Sequence, residues 1–561
     1  MARKAEPLHF AFAAFALGAI TIASATGGCG SKSNGGSAFD AGTGGASSGA
    51  SGSGGGGGDA SASSGSSGAS SGLKLGDSGG TTGCTGNGWK CKVDTSCGSS
   101  PTTLTGQVFD PAGANPLYNV VVFIPDDPTT LPAITPGTHS CNTCDVSIGD
   151  YVVAAQTDAT GTFTLRGVPN AKQVPVTVQI GKWRRTTYID IDTDCGTNTV
   201  SKGTLHLPGK RADGDMPQMA VLTGGCDDLG CFLTGMGIDP GEFSAPPAAP
   251  SSTAPHTSGR LDVYQGLAFG GGGAATLSSG TAGSCTSASC PLWASVSNLE
   301  YYDMALLSCE CSTQDGTKPT GSKQALHDWL NEGGKVFASH YQYTWFENSP
   351  DTDFQGVASW GQTGTADTAT GGGTKYDIDT SFPKGATFGK WLGAVSAIGS
   401  AGMPPATPPS MTLYTVADSV DAVNATPPQA TVRWIYDDMT GNHPKYMSFG
   451  TPIGGVTTTS AGDAGSEGGA VDAGTADGGG SSDGGESGPQ YCGKAVFTDL
   501  HTSGAAGSPI FSTVNDIPAG CGNNAGKLTP QQKALEFLFF DLSACVSNDK
   551  VQPPPIPNPP Q

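Results

Sequence analysis

Three short stretches carry side chains able to do chemistry, Cys309-Glu310-Cys311, Ser339-His340 and His501, and a fourth, Gly224-Gly225, offers bare backbone to a ligand. Each lies at the end of an apolar run. Ser339 and His501 offer an acyl-transfer pair, an imidazole acting as general base toward a hydroxyl. No G-x-S-x-G turn frames Ser339, so that chemistry has no nucleophile elbow of the hydrolase kind. His340, His501 and Glu310 offer two imidazoles and a carboxylate to a metal ion, although about 190 residues separate the outermost of them. The expectation drawn is no metal and no cofactor. Cys309 and Cys311 read as disulfide partners of cysteines such as Cys285 and Cys290. Beyond His340 come Tyr341, Tyr343, Trp345 and Phe346. Such a row suits stacking on sugar rings and suits packing under a sheet edge equally well. Glu310, Tyr341, Tyr343 and Trp345 are therefore the ligand-binding candidates. The acidic pairs Asp227-Asp228 and Asp437-Asp438 suit a cation or, more plainly, solvated turns.

The elements that must position these residues alternate strand and helix. Residues 219–222, 301–307, 336–338 and 495–498 read as short apolar strands. Between them, Ser322 offers an N-cap to a helix over 323–332, whose Leu326, Trp329 and Leu330 share one face. Near the end, Thr529-Pro530-Gln531-Gln532 supplies an N-cap, a Pro at N1 and a Gln at N3, opening a helix through Leu542. Segments 431–436 and 446–449 read as an added hairpin. Strand, helix and strand joined by tight turns predict a parallel α/β sheet, and such sheets place ligands at the carboxyl ends of their strands. The four stretches above are those ends.

Upstream the pattern is all β. Runs at 104–109, 120–124, 151–156, 162–165 and 174–180 are bounded by Gly, Pro or Asp, which predicts an antiparallel β-sandwich. The strings TGQVFDPAGANPLYNVVVFIP (105–125), TDATGTFTLRGVP (157–169) and VPVTVQIGKWRR (174–185) resemble the carboxypeptidase regulatory-like domain, a prealbumin-like sandwich of about seven strands. Gly106, Gly113, the Asp158-to-Gly161 turn and Gly167 carry the likeness. The resemblance implies a noncatalytic module for folding, adhesion or glycan contact. Downstream, VLTGGCDDL (221–229), YYDMALLSCECS (301–312), LNEGGKVFASHYQYTW (330–345) and GKAVFTDLHTSG (493–504) resemble the class I glutamine amidotransferase-like fold, including its trehalose-utilisation branch. That family places a nucleophilic Cys where this chain has Ser339-His340. His501 stands where the family has its histidine, but the Glu expected two residues later is missing. The resemblance thus implies the flavodoxin-like fold without its triad.

The rest of the chain speaks to address. Arg3 and Lys4 precede an apolar run over 8–25, a signal-peptide pattern. Thr26-Gly27-Gly28-Cys29 resembles a bacterial lipobox, which implies acylation of Cys29 and anchoring through its acyl chains. Residues 31–72 are nearly all Gly, Ser and Ala, a coil with an end-to-end distance of roughly 40 Å. Sixteen cysteines point to an oxidising compartment. Setting Cys29 aside leaves an odd number, hence at least one free thiol. Cys141 and Cys144 have metal-ligand spacing but no second pair to complete a ribbon, so they too read as disulfide partners. A formal charge of −21, with 48 acids against 27 bases, argues against nucleic acid as a partner.

The expected organisation is a lipoprotein signal peptide (1–28), a disordered Gly/Ser-rich tether (29–83), the sandwich with its Cys-bearing lead (84–210), the first part of the α/β domain (211–456), a disordered Gly/Asp-rich insertion (457–489), the last strand and helix (490–547) and a Pro-rich tail (548–561). The expected role is an exported lipoprotein on the outer-membrane, periplasmic or cell-surface side. It would act as a binding, adhesion or scaffold module, leaning away from catalysis, with glycan or another surface protein as partner. The alternative is an extracytoplasmic hydrolase of carbohydrate or peptide using Ser339, His340 and His501.

Overall fold

The computed structural model describes residues 87–137, 148–267, 277, 280–361, 367–368, 373–398, 408–437, 441–456, 490–502 and 517–553. The signal segment, Cys29, the tether, Cys141, Cys144 and the 457–489 insertion lie outside the described residues. The chain divides into two compact units, Met1–Ser66 and Ser67–Gln561, and every described residue belongs to the second. That unit is rich in β-structure, with several sheets and few helices. Among the described residues no helix is long and apolar enough to cross a membrane.

The first eight strands are β1 (Thr103–Phe109), β2 (Val121–Pro125), β3 (Tyr151–Gln156), β4 (Thr162–Arg166), β5 (Val174–Ile180), β6 (Trp183–Ile189), β7 (Thr197–Thr199) and β8 (Leu205–His206). They form two sheets. One is β3-β2-β5-β6, antiparallel throughout, and the other is built on β1. Val122 and Ile124 on β2, Val176 and Val178 on β5, and Leu104, Val108 and Leu165 from the facing sheet are all nearly or wholly buried and belong to one core cluster. The β-branched residues at alternate positions fit a pleated surface packed on one face. One expectation needs correcting: β1 pairs antiparallel with β4 but parallel with β7 and β8. After β6 the chain crosses to the other sheet and returns along β1 in the same direction, which a sequence of short runs does not reveal.

The second part is a mixed sheet. Its strands are β9 (Met219–Thr223), β10 (Phe243–Ser244), β11 (Leu261–Gln265), β12 (Gly283–Ser284), β13 (Met304–Leu307) and β14 (Lys335–Ser339). Two small pairs follow at its margin, β15 (Ala358–Trp360) with β20 (Val420–Val423) and β16 (Asp367–Thr368) with β19 (Thr415–Val416). The sheet is completed by β17 (Thr374–Ile378), β18 (Ser410–Leu413), β21 (Val432–Tyr436), β22 (Pro444–Thr451) and β23 (Gly493–Thr498). The order is β10-β11-β9-β13-β14-β23-β22-β21-β17-β18, with β12 paired on β11. Strands from β10 to β23 along this order run parallel; β22, β21, β17 and β18 continue it antiparallel. The hairpin read from the sequence is β21–β22, and it extends the sheet directly.

Helix Pro530–Ser543 opens with a reciprocal capping box: Thr529 accepts from the Gln532 backbone and the Gln532 side chain accepts from Thr529 N–H. Helix Thr320–Asn331 starts before Ser322, and Pro319 holds the N-cap position in extended backbone. Ser322 is instead buried in the first turn, where its N–H donates to the Pro319 carbonyl at 2.9 Å.

Sandwich and mixed sheet share a continuous core. Trp183 on β6 meets Phe540 and Phe539 of helix Pro530–Ser543 edge-on, with ring centroids 5.9 and 6.4 Å apart. Beside it Gly181 has φ +50°, and a Cβ there would lie 1.9 Å from the Ser543 carbonyl oxygen. Only glycine permits both that backbone and that approach. Disulfides pin the described residues at Cys97–Cys195, Cys226–Cys311, Cys231–Cys521 and Cys285–Cys290. Cys91, Cys492 and Cys545 are disulfide-bonded as well.

Candidate functional site

β9, β13, β14 and β23 are consecutive neighbours running in one direction. Their carboxyl ends therefore lie side by side about 4.8 Å apart per step. The residues leaving them are Gly224-Gly225, Ser308-Cys309-Glu310-Cys311, His340 and Leu500-His501. The sheet thus brings His340 and His501 together.

His340 is the first residue past β14 and has φ +44°, a left-handed backbone rare for a residue with a Cβ. This sharp turn leads straight into the short helical segments His340–Tyr343 and Thr344–Glu347. The His340 Nδ1 lies 3.1 Å from His501 Nε2, with the two rings nearly perpendicular. The same Nδ1 lies 3.5 Å from the sulfur of Cys309. Among the described residues Cys309 is the free thiol. Its predicted pairing with Cys285 or Cys290 does not occur, because those two close a short loop with each other, and Cys311 bonds Cys226.

Ser339 does not meet His501. Its hydroxyl donates to Asp227 Oδ2 and is fully buried. Asp227 also accepts from the Thr502 backbone N–H at 2.8 Å, the Thr502 hydroxyl at 2.5 Å and the Asp228 N–H at 2.9 Å. One buried carboxylate therefore holds both the residue before His340 and the residue after His501. Asp228 is buried too and caps helix Leu229–Gly235 by accepting from Cys231 N–H. The pair is thus no solvated turn; Asp437 is buried also, while Asp438 lies outside the described residues.

Burial sets the electrostatics. It holds the His340 imidazole well below its usual range, and the neighbouring His501 adds to this. Burial lowers His501 as well, opposed by the charge of Asp227. Burial pushes the Cys309 thiol far up. At neutral pH the cluster is two neutral imidazoles and a protonated thiol. His340 Nε2 and His501 Nδ1 have no hydrogen-bond partner among the described residues.

Glu310 is not part of the cluster. Its buried carboxylate takes the Lys318 ammonium at 2.6 Å, the Leu267 N–H at 2.7 Å and the Gln342 amide at 3.2 Å. These bonds turn the carboxylate to Lys318, and it is not among the ligand atoms gathered around His340 and His501, which corrects the Glu310-based metal set. Trp345 is likewise removed as a sugar-stacking surface. It is 1% exposed, packs on Trp293 with centroids 4.9 Å apart, and donates its N–H to Gln342 Oε1 at 2.8 Å. Phe346 is buried among Phe354, Phe449 and Phe497. Tyr341 and Tyr343 remain half-buried, Tyr341 stacked on His340 and Tyr343 on Trp360.

Two features of the cluster escaped the sequence reading: the free thiol of Cys309 and the clamp of Asp227. The odd cysteine count and the shared placement of Cys309, His340 and His501 at apolar strand ends were the available signals. Gly224 completes the packing. A Cβ there would sit 2.1 Å from the Cys309 carbonyl oxygen, so the β9 exit can close on the β13 exit only with glycine. Elsewhere a polar cleft of about 310 Å³ is lined by His206, Lys210, Asp213, Asp239, Asn523 and Asn524.

No protein-family model matches the chain, and no curated protein matches it by sequence. Among solved structures, a chain of a type II cohesin–X-dockerin complex from Acetivibrio cellulolyticus is similar over 27% of this chain and 78% of its own length, at 16% identity and a TM-score of 0.13.

Proposed function

We propose that this chain is an exported, membrane-anchored lipoprotein whose folded part acts as a binding, adhesion or scaffold module. The sandwich is read as a carboxypeptidase regulatory-like domain. The mixed sheet is read as an amidotransferase-like α/β domain that lacks that family's hydrolytic machinery. The observation that carries this reading is the turn after β14. Histidine occupies it, and the serine hydroxyl beside it is committed to Asp227 instead of a base. The disulfides support an oxidising compartment. Tyr341, Tyr343 and the polar cleft are the surfaces offered to a glycan or a partner protein.

The test is turnover. The full chain is assayed against ester, peptide and glycoside substrates beside Ser339→Ala and His501→Ala. Wild-type rates at the buffer blank are expected. Turnover that both substitutions abolish would establish the alternative, an extracytoplasmic hydrolase. Anchoring is tested separately: Cys29→Ala should move the protein from the membrane fraction to the soluble exported fraction, and unchanged membrane association refutes the lipid anchor.

A further inference from the structure

We infer that Cys309, His340 and His501 form a mononuclear centre of one thiolate and two imidazoles for a late first-row divalent metal ion. The inference goes beyond the binding-module reading and does not depend on the membrane anchor.

The topology makes the cluster. β13, β14 and β23 are adjacent in the sheet and parallel, and each delivers one ligand within three residues of its carboxyl end. All three side chains are buried, at 0%, 3% and 2% exposure for Cys309, His340 and His501. Their ligand atoms lie within 4.8 Å of one another. The two measured edges fit a metal polyhedron. Two nitrogens at ~2.05 Å from a tetrahedral zinc lie ~3.3 Å apart, and a nitrogen and a thiolate sulfur at ~2.3 Å lie ~3.5 Å apart. The observed edges are 3.1 Å for His340 Nδ1 to His501 Nε2 and 3.5 Å for His340 Nδ1 to Cys309 Sγ.

The surroundings hold this geometry in advance. The disulfide Cys226–Cys311 ties the β9 exit to the β13 exit two residues from Cys309. The Cys226 N–H donates to the Cys309 carbonyl at 3.1 Å. Asp227, next in sequence, clamps Ser339 and Thr502, the neighbours of His340 and His501. Three ligand-bearing turns are thus fastened to one point, the outer support that sharpens metal sites. Ligation through His340 Nδ1 and His501 Nε2 leaves the ring protons on His340 Nε2 and His501 Nδ1. The Cys309 sulfur binds as thiolate, and its proton passes to solvent, so one proton is released per ion bound. Three protein ligands leave a fourth position for water or a small anion.

The experiment uses the full chain with its disulfides oxidised. It is stripped by chelator in mild denaturant, refolded with cobalt(II) or zinc(II), and desalted; metal content of the chain as purified is a second readout. The expected result is about one ion per chain, a thiolate-to-cobalt charge-transfer band with visible bands of tetrahedral cobalt, and loss of both bands on adding zinc(II). Cys309→Ala should abolish the charge-transfer band, and His501→Ala should weaken binding at least tenfold, on the order of other metal-shell losses. The inference is overturned by wild-type protein that holds no ion by either readout, or by Cys309→Ala that binds as wild type does, which would place the ion on other cysteines. Alkylation of Cys309 in the folded wild type under excess zinc(II) would also overturn it.

Discussion

The Ser339 hydroxyl donates to Asp227, while the imidazole of His501 faces His340. The serine and the histidine therefore sit on neighbouring strand ends without sharing a proton. Ser339 is a structural link between the β14 and β9 exits, and Asp227 is its acceptor. Ser339→Ala removes one bond from a buried carboxylate that keeps others, and it should cost about 1–3 kcal/mol of stability. Chemical denaturation monitored by tryptophan fluorescence measures this. A loss near zero would mean that Asp227 does not depend on Ser339.

A second prediction concerns four buried charges. Lys384 and Lys494 each bond Asp541 and Asp549, at 2.5 to 3.0 Å, which joins helix Pro383–Ala394, helix Pro530–Ser543, β23 and the residues beyond. Burial alone would raise the Asp549 carboxyl, but Lys494 and Lys384 hold it well below the usual range. A carboxyl depressed in the folded state contributes stability that is fully present above its unfolded value of ~3.9 and is lost as pH falls below it. Asp549→Ala should cost about 3–5 kcal/mol, because two lysines then lose a shared partner in a dry site. Asp549→Asn should flatten the acid limb of stability against pH; an unchanged limb would contradict the ion cluster as its source.

The opposite sign is expected where sandwich and sheet meet. Glu536 is fully buried, takes the Asn115 amide at 2.8 Å, and stands beside Asp110. Burial, reinforced by Asp110, raises Glu536 well above the usual carboxyl range; burial likewise raises Asp110 to about 6. The folded state thus retains protons that the unfolded chain has released, so stability falls as pH rises from ~4 through 6 and beyond. Glu536→Gln should raise the melting temperature by a few degrees at about pH 8 and change it little near pH 4.5. Melting curves across that range decide the matter, and a wild-type profile that rises toward pH 8 with the variant in parallel refutes the retention of protons at Glu536 and Asp110.

The aromatic row separates packing from contact. Trp345→Ala should cost about 3–5 kcal/mol, as expected for a buried large side chain. Tyr341 and Tyr343 are half-buried. Their Ala variants should stay folded and change only the retention of the chain on glycan arrays. Equal melting losses for Tyr343→Ala and Trp345→Ala would show that the whole row is core.

Much of the scaffold could be read from local pattern. The run at 120–124 that became β2, the Thr529–Gln532 capping box and the β21–β22 hairpin each rest on interactions within a few residues. What could not be read rests on distant partners. The parallel return of β7 and β8 along β1 depends on where the chain re-enters the sandwich. Cys309 is a thiol because Cys226, far upstream, takes Cys311, and because Cys285 closes on Cys290. Glu310 looks like a ligand in sequence until Lys318, Leu267 and Gln342 are seen around it. Cys309, His340 and His501 were all visible as strand-end residues; that β23 lies beside β14, and that Cys309 keeps its thiol, was not.

The place of β23 bears on how the protein can be made. It lies between β14 and β22 in the sheet, yet its residues follow both in the chain, and it supplies the approach to His501. A chain emerging amino end first exposes the inner edges of β14 and β22 until residue 493 has been delivered. Those edges are unpaired strands of apolar sequence, the surfaces most prone to mispairing. The interior of the sheet is therefore filled last, and a version truncated at residue 456 should accumulate as aggregate, never as a smaller folded protein.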